Sequence, residues 1–179
     1  MDKSALEKTL AALPIAQYAF FRSSELEFSP RIRAVCEQEC PRCGKSWSCP
    51  PAVGSVETCE RRCRSYPEGL LIVSLAETDD IADTEAALKT RPAHEALTRC
   101  VADILKAQGL ETFVLSAESC AVCDTCTYPD APCRHPEKML PCAESHGIVI
   151  TALAEKYGID YQYGNNVVSW FSLLFFREA

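Results

Sequence analysis

Cys120, Cys123 and Cys126 repeat at C-x2-C-x2-C, and Cys133 follows beside Arg134, His135 and Pro136, so four thiols fall within fourteen residues. The triplet spacing bends a short loop around one inorganic centre. A cubane iron–sulfur cluster takes one thiolate on each of its four irons, and Cys133 can supply the fourth. Pro129 and Pro132 lack N–H groups and fix their own φ, so the segment between cannot run on as helix and turns back. Polar and proline residues separate these cysteines, which does not make the apolar face of a buried thiol cluster. Zinc stays open as the alternative metal for the same four ligands.

A second group lies upstream: Cys36, Cys40, Cys43 and Cys49, again four thiols in fourteen residues, with Pro50 and Pro51 directly behind. The two groups echo each other loosely, which predicts two [4Fe–4S] clusters. Cys40-Pro-Arg-Cys43-Gly44 is also the turn of a zinc knuckle, in which the glycine relieves strain and backbone N–H groups face sulfur. The C-x3-C-x2-C spacing matches the cluster motif of radical S-adenosylmethionine enzymes as well. The competing fourth cysteine and a chain shorter than the about 200 residues a barrel needs argue against that reading.

The elements that must position these loops follow from periodicity. Leu6, Leu10 and Leu13 share one side of a short helix ended by Pro14, and Ile15 to Arg22 reads as a strand. Val56 to Tyr66 reads as a helix with Cys59 and Cys63 one turn apart on its buried side, where either could also stand in as a ligand. Leu70 to Leu75 is an apolar run suited to a central strand. Asp83 to Gln108 is helical, interrupted or kinked near Pro92, with Leu97, Cys100, Val101, Ile104 and Leu105 on a buried stripe and His94 at the surface or a cap. Gly109 ends that helix, and Thr112 to Ser116 is the strand leading into Cys120. Pro141 opens a helix reaching Tyr157, with Cys142 in its first turn in a packing role or as a ligand; Gly158 ends it. Tyr161 to Tyr163 and Val167 to Phe176 read as a closing hairpin. The expected fold is α/β or α+β, one sheet with helices packed on it and two cysteine-rich metal-cluster loops, in a single domain over residues 1–179.

A chain of 179 residues can bury a core without metal, so the thiol groups are functional additions. The formal net charge of −7 disfavours nucleic acid and anionic membrane as partners. No stretch approaches the about 20 apolar residues of a membrane span. Met1-Asp-Lys-Ser opens a polar, helix-like segment without signal-peptide character, so a cytoplasmic location is expected, where twelve cysteines are metal ligands rather than disulfides.

Cys40-x2-Cys43-Gly-Lys-x-Trp-x-Cys49-Pro-Pro, Cys120-x2-Cys123-x2-Cys126-x6-Cys133-Arg-His-Pro, Ser145-His-Gly-Ile and Ser172-Leu-Leu-Phe-Phe together resemble a family of small prokaryotic proteins called predicted metal-binding proteins. The resemblance spans most of the chain from Cys36 onward. It implies a metal centre, iron–sulfur in kind, in an anaerobic bacterium or archaeon, and carries no substrate. It departs at Cys43, where relatives often have an aromatic residue, which keeps Cys59 and Cys63 open as ligands of the first site.

Three functions fit these residues. The leading one is a two-cluster protein passing electrons to or from a redox partner protein, its acidic surface meeting a basic patch. The second is a closed zinc-binding interaction module. The third is an enzyme whose cluster keeps one iron open to substrate, with Lys45, Trp47, Arg134, His135 and His146 nearby. No Gly-rich phosphate loop, His-Glu-x-x-His element or nucleophile with a readable base supports the third.

Overall fold

The computed structural model describes residues 3–179; the expectation for Met1 and Asp2 lies outside them. Helix α1 (Lys3–Leu10) buries Leu6 and Leu10 on one side, as their spacing requires, and strand β1 (Gln17–Arg22) follows. Helix α2 (Pro30–Gln38) was not expected. It starts on a serine cap, with the Ser29 side chain accepting from the Arg31 N–H and proline in the first turn. Helix α3 (Val56–Arg64) is capped in the same way by Ser55, which accepts from Thr58 N–H. Then come strand β2 (Glu68–Glu77), helix α4 (Thr84–Ala107), strand β3 (Leu110–Leu115), helix α5 (Ile150–Lys156) and strand β4 (Val167–Glu178).

The four strands form one antiparallel sheet in the order β1-β2-β4-β3, so the class is α+β. Both central strands, β2 and β4, are apolar on both faces, as strands covered on two sides must be. Alternation sends Leu70, Ile72, Leu174 and Phe176 toward α1 and α4. It sends Leu71, Val73, Phe171, Leu173 and Phe175 toward α5 and Cys63 of α3. Phe21 lies directly over Gly69: a Cβ there would stand 2.3 Å from the ring, so only glycine fits beneath it.

Four expectations need correction. Helix α4 runs unbroken through Pro92, whose ring sits on the exposed face. On that helix His94 is buried and Cys100 is exposed, the reverse of what was expected. No helix starts at Pro141; the segment there bridges to Ser116, makes a short 3-10 turn at Glu144–His146, and only then enters α5. Tyr161 to Tyr163 form no strand, so there is no closing hairpin. Strand β4 instead sits in the middle of the sheet between β2 and β3.

This topology leaves a notch. Strand β3 pairs only with Leu173 to Glu178 of β4, so the first half of β4 has no neighbour on that side. The long cysteine-bearing excursion leaves the sheet at that point. Its two ends are closed by the Ser116 N–H donating to the Pro141 carbonyl at 2.8 Å.

Candidate metal centre

The notch holds the first site. A cavity of about 320 Å³ is walled by Ser169, Trp170 and Phe171 of β4 and by the thiols of Cys36, Cys40, Cys43 and Cys49. A fifth thiol, Cys142, faces the same space. Cys36 and Arg33 lie one turn apart on the buried face of α2. The Arg33 guanidinium donates to the carbonyls of Ser145 and Gly54 and pairs with Glu37 at 3.0 Å. One buried cation thus ties α2 to the turn that follows Cys142. Ser29 N–H donates to Gly147 O at 2.7 Å and Val149 N–H to Glu27 O at 2.9 Å, fixing the same junction at its other end.

Cys40 to Pro50 forms a tight turn. Cys43 N–H donates to Cys40 O, and Gly44, at φ +68°, donates to Pro50 O at 2.8 Å. The left-handed φ there is why glycine follows Cys43. Glu118 and Glu144 also open onto the cavity, and Glu118 holds a left-handed φ of 62° that a non-glycine residue seldom adopts. Glu144 keeps an exposed side chain there, and the protein around it raises its carboxyl pKa by desolvation. Burial raises the Cys49 thiol. Cys36 and Cys142 interact side chain to side chain, which lowers the Cys36 thiol and, with burial, raises that of Cys142.

The second site is a cleft at the surface. Cys120, Cys123, Cys126 and Cys133 line it with Ser46, Trp47, Arg134 and His135, and all four thiols are half-buried. Its enclosed volume, about 30 Å³, is far smaller than that of the first cavity. The expected return of Cys133 is made by local bonds. Ala131 N–H donates to Thr127 O at 3.0 Å, the Thr127 hydroxyl donates to Pro132 O at 2.8 Å, and Arg134 donates to Thr125 O. Burial raises the Cys126 thiol, but the N–H groups of Tyr128, Trp47 and Thr127 and the Ser46 hydroxyl outweigh it and bring the pKa below the ordinary value. Donors aimed at a sulfur favour thiolate, the form a metal binds.

A short strap, Ser46-Trp47-Ser48, joins the two sites. Ser48 Oγ accepts from Cys120 N–H at 2.9 Å and lies 3.7 Å from Cys49 Sγ; Ser46 and Ser48 hydroxyls stand 2.9 Å apart. Trp47 donates from Nε1 to Ala131 O at 3.0 Å and meets Tyr128 edge to face at 5.0 Å. Ser46 lines the second cleft with Cys126, while its hydroxyl bonds Ser48.

The remaining cysteines stand apart. Cys59 donates to Val53 O at 3.4 Å, and Cys63 lies in the core, where burial pushes its pKa up to about 12. A thiol that hard to ionise is a poor ligand at neutral pH. His146 is buried beside Ser145 and Phe113, and burial lowers its pKa to about 4; Lys45 is exposed on the turn between Cys43 and the strap and lines neither cavity. Sequence reasoning did not find Glu118, Glu144, Tyr161 or the two strap serines, because no spacing marks a residue that reaches a cavity through tertiary packing alone.

Among the described residues no three His, Cys, Asp or Glu side chains are drawn together as one ion would need. Four sulfurs around a single zinc, at about 2.3 Å each, would stand roughly 3.8 Å apart.

Fold and sites together define a cysteine-rich α+β protein with two adjoining thiol-lined cavities. The chain belongs to the family described as predicted metal-binding protein (DUF2284), whose model matches residues 19–176, from β1 through β4 and across both cysteine groups. No curated protein and no solved structure matches it. No helix among the described residues is long and apolar enough to cross a membrane.

Proposed function

We propose that this is a one-domain iron–sulfur protein carrying two [4Fe–4S] clusters and passing electrons to or from a redox partner protein, in the cytoplasm of an anaerobic cell. One observation carries the reading: two groups of thiols line neighbouring cavities joined by a strap whose Ser48 hydroxyl lies 3.7 Å from Cys49 Sγ and accepts from Cys120 N–H. Cys120, Cys123, Cys126 and Cys133 would hold one cluster. The other would draw on Cys36, Cys40, Cys43 and Cys49, with Cys142 beside them. Bound clusters supply one-electron chemistry at potentials set by hydrogen bonds to sulfur and by exposure. The N–H groups of Tyr128, Trp47 and Thr127 would serve in this way at Cys126. The half-buried second group gives a partner a short approach, and the net charge of −7 suits a basic docking patch.

The size of the first cavity favours one second reading, an enzyme whose cluster keeps an iron without a protein thiolate. Anaerobic preparation from iron-replete cells tests the shared premise. Brown protein with iron and acid-labile sulfide that bleaches on reduction is expected. Colourless protein with stoichiometric zinc would overturn both readings in favour of a redox-silent zinc module. Air-purified material is no test, because zinc can fill emptied thiolate sites.

A further inference from the structure

Strand β3 stands at one edge of the sheet, and its outer side opens on a groove of about 600 Å³. The strand's own bonding fixes what that side presents. Ser116 N–H donates outward to Pro141 O, and along an antiparallel strand alternate residues turn their N–H and C=O to the same side. Phe113 and Leu115 therefore bond β4, while Thr112 and Val114 each turn a donor and an acceptor into the groove. No other backbone group among the described residues meets them. A sheet edge left in this state is a template for one more extended strand.

The charges around the edge select which strand. Arg99 and Lys106 of α4 lie on one face of β3, and Arg62 of α3 lies on the other, its guanidinium over the Phe113 ring at 4.0 Å. Lys138 joins the groove from the Pro136–Lys138 turn, and the acids that line it are Asp103 and Glu137. Lys106 is paired with Asp103 at 3.2 Å and Arg99 with Glu95 at 3.8 Å. Arg62 and Lys138 enter no ion pair among the described residues. Side chains of an extended chain alternate between faces, and cations stand on both, so a run of consecutive Asp or Glu residues is met on either side. The same cations oppose a second copy of this chain, whose β3 edge would bring like charge to like.

We propose that this groove binds an acidic, extended segment of a partner protein as a fifth strand on β3. Met139 walls both the groove and the second cysteine cleft, so the partner carrying that segment is seated beside the exposed thiols. For the redox partner proposed above this adds an acidic strand to the basic patch that the net charge of −7 suits. The groove itself stands on the fold and needs no metal.

The test is fluorescence anisotropy of labelled hexaglutamate with blocked ends, titrated with the full chain at low salt. Saturable binding is expected, with neither hexalysine nor inorganic phosphate competing. Thr112→Pro removes one outward N–H and leaves the β4 bonds in place, a change that an edge strand tolerates, and should weaken binding roughly tenfold. Arg62→Glu combined with Lys138→Glu, at two exposed positions, should abolish it. Hexaglutamate methylated at every backbone nitrogen needs no variant: it keeps the charge, loses the pairing, and should also bind roughly tenfold more weakly. No binding by the unaltered chain, unchanged affinity in either variant, or equal binding of the methylated peptide overturns the proposal. Full competition by phosphate overturns it in favour of a plain anion site. A chain that binds hexaglutamate yet proves colourless keeps this proposal and loses the iron–sulfur reading.

Discussion

The two cysteine groups carry equal numbers of thiols in equal lengths of chain, yet they are held by different means. The second is shaped mostly by its own residues, with Thr127, Pro132 and Arg134 bonding within the loop, two outside supports from Trp47 and Ser48, and its thiols half open to solvent. The first is shaped by the whole fold. Helix α2, the Arg33 clamp, the uncovered half of β4 and a turn more than a hundred residues downstream meet around its cavity. A spacing motif therefore speaks for the shape of a loop only so far as the bonds that shape it are local.

The largest expected effect tests that separateness. Cys126→Ser should remove the second centre outright, about half of the iron, with the first centre's spectrum unchanged. Cys133→Ala should do the same; loss of the first centre in Cys133→Ala would show the ligands crossing between groups and end the comparison.

Next is the clamp. Arg33 is almost fully buried and donates to two carbonyls, each such charged bond worth about 1.5–3 kcal/mol, so Arg33→Ala should destabilise the metal-free protein by about 4 kcal/mol in denaturant. The first group should lose its grip on metal and the second keep it. Equal loss at both would mean that the second loop leans on the fold as heavily as the first.

The third acts at the root of the second loop. His94 bonds Ser74 at 2.8 Å and Ser172 at 2.7 Å, and Ser172 donates to Ser116, where that loop departs. Burial holds His94 neutral, lowering its pKa from 6.5 to about 4. The unfolded chain takes up this proton near pH 6.5, so the stability it represents is complete above that value and is lost as pH falls toward 4. Roughly 3 kcal/mol is at stake by pH 4. His94→Gln should flatten the acid limb of the unfolding profile between these values; an unchanged slope would exclude His94 as its source.

The smallest effect concerns Cys100. It is exposed on α4, so Cys100→Ala should change stability by less than about 0.5 kcal/mol and leave both centres in place, read by thermal unfolding and iron content.

That residue also marks where sequence reading failed. The buried positions of α4 include 94, 97, 98, 101 and 105, a true helical stripe to which His94 belongs by spacing and Cys100 does not. Residue type overrode position: a histidine was sent outward, a cysteine inward. The central strand at Leu70 to Leu75, helix α3 with its buried Cys59 and Cys63, and the turning back of Cys133 were all legible, because each follows from local pattern. Helix α2 was legible too, in Ser29 and Pro30, but the cysteines drew attention from the cap. The placing of β4 beside β2 and β3, and with it the notch, was not legible. Strand order depends on long-range pairing that an apolar run does not encode.

The strap of Ser46, Trp47 and Ser48 makes one loop a footing for the other. Cys120 N–H, where the second loop begins its turn, rests on the Ser48 hydroxyl, and the far limb at Ala131 rests on the Trp47 indole. Neither support exists until the Cys40–Pro50 turn has formed. The two loops are thereby coupled: a change that opens the Cys40–Pro50 turn takes two supports from the second loop as well.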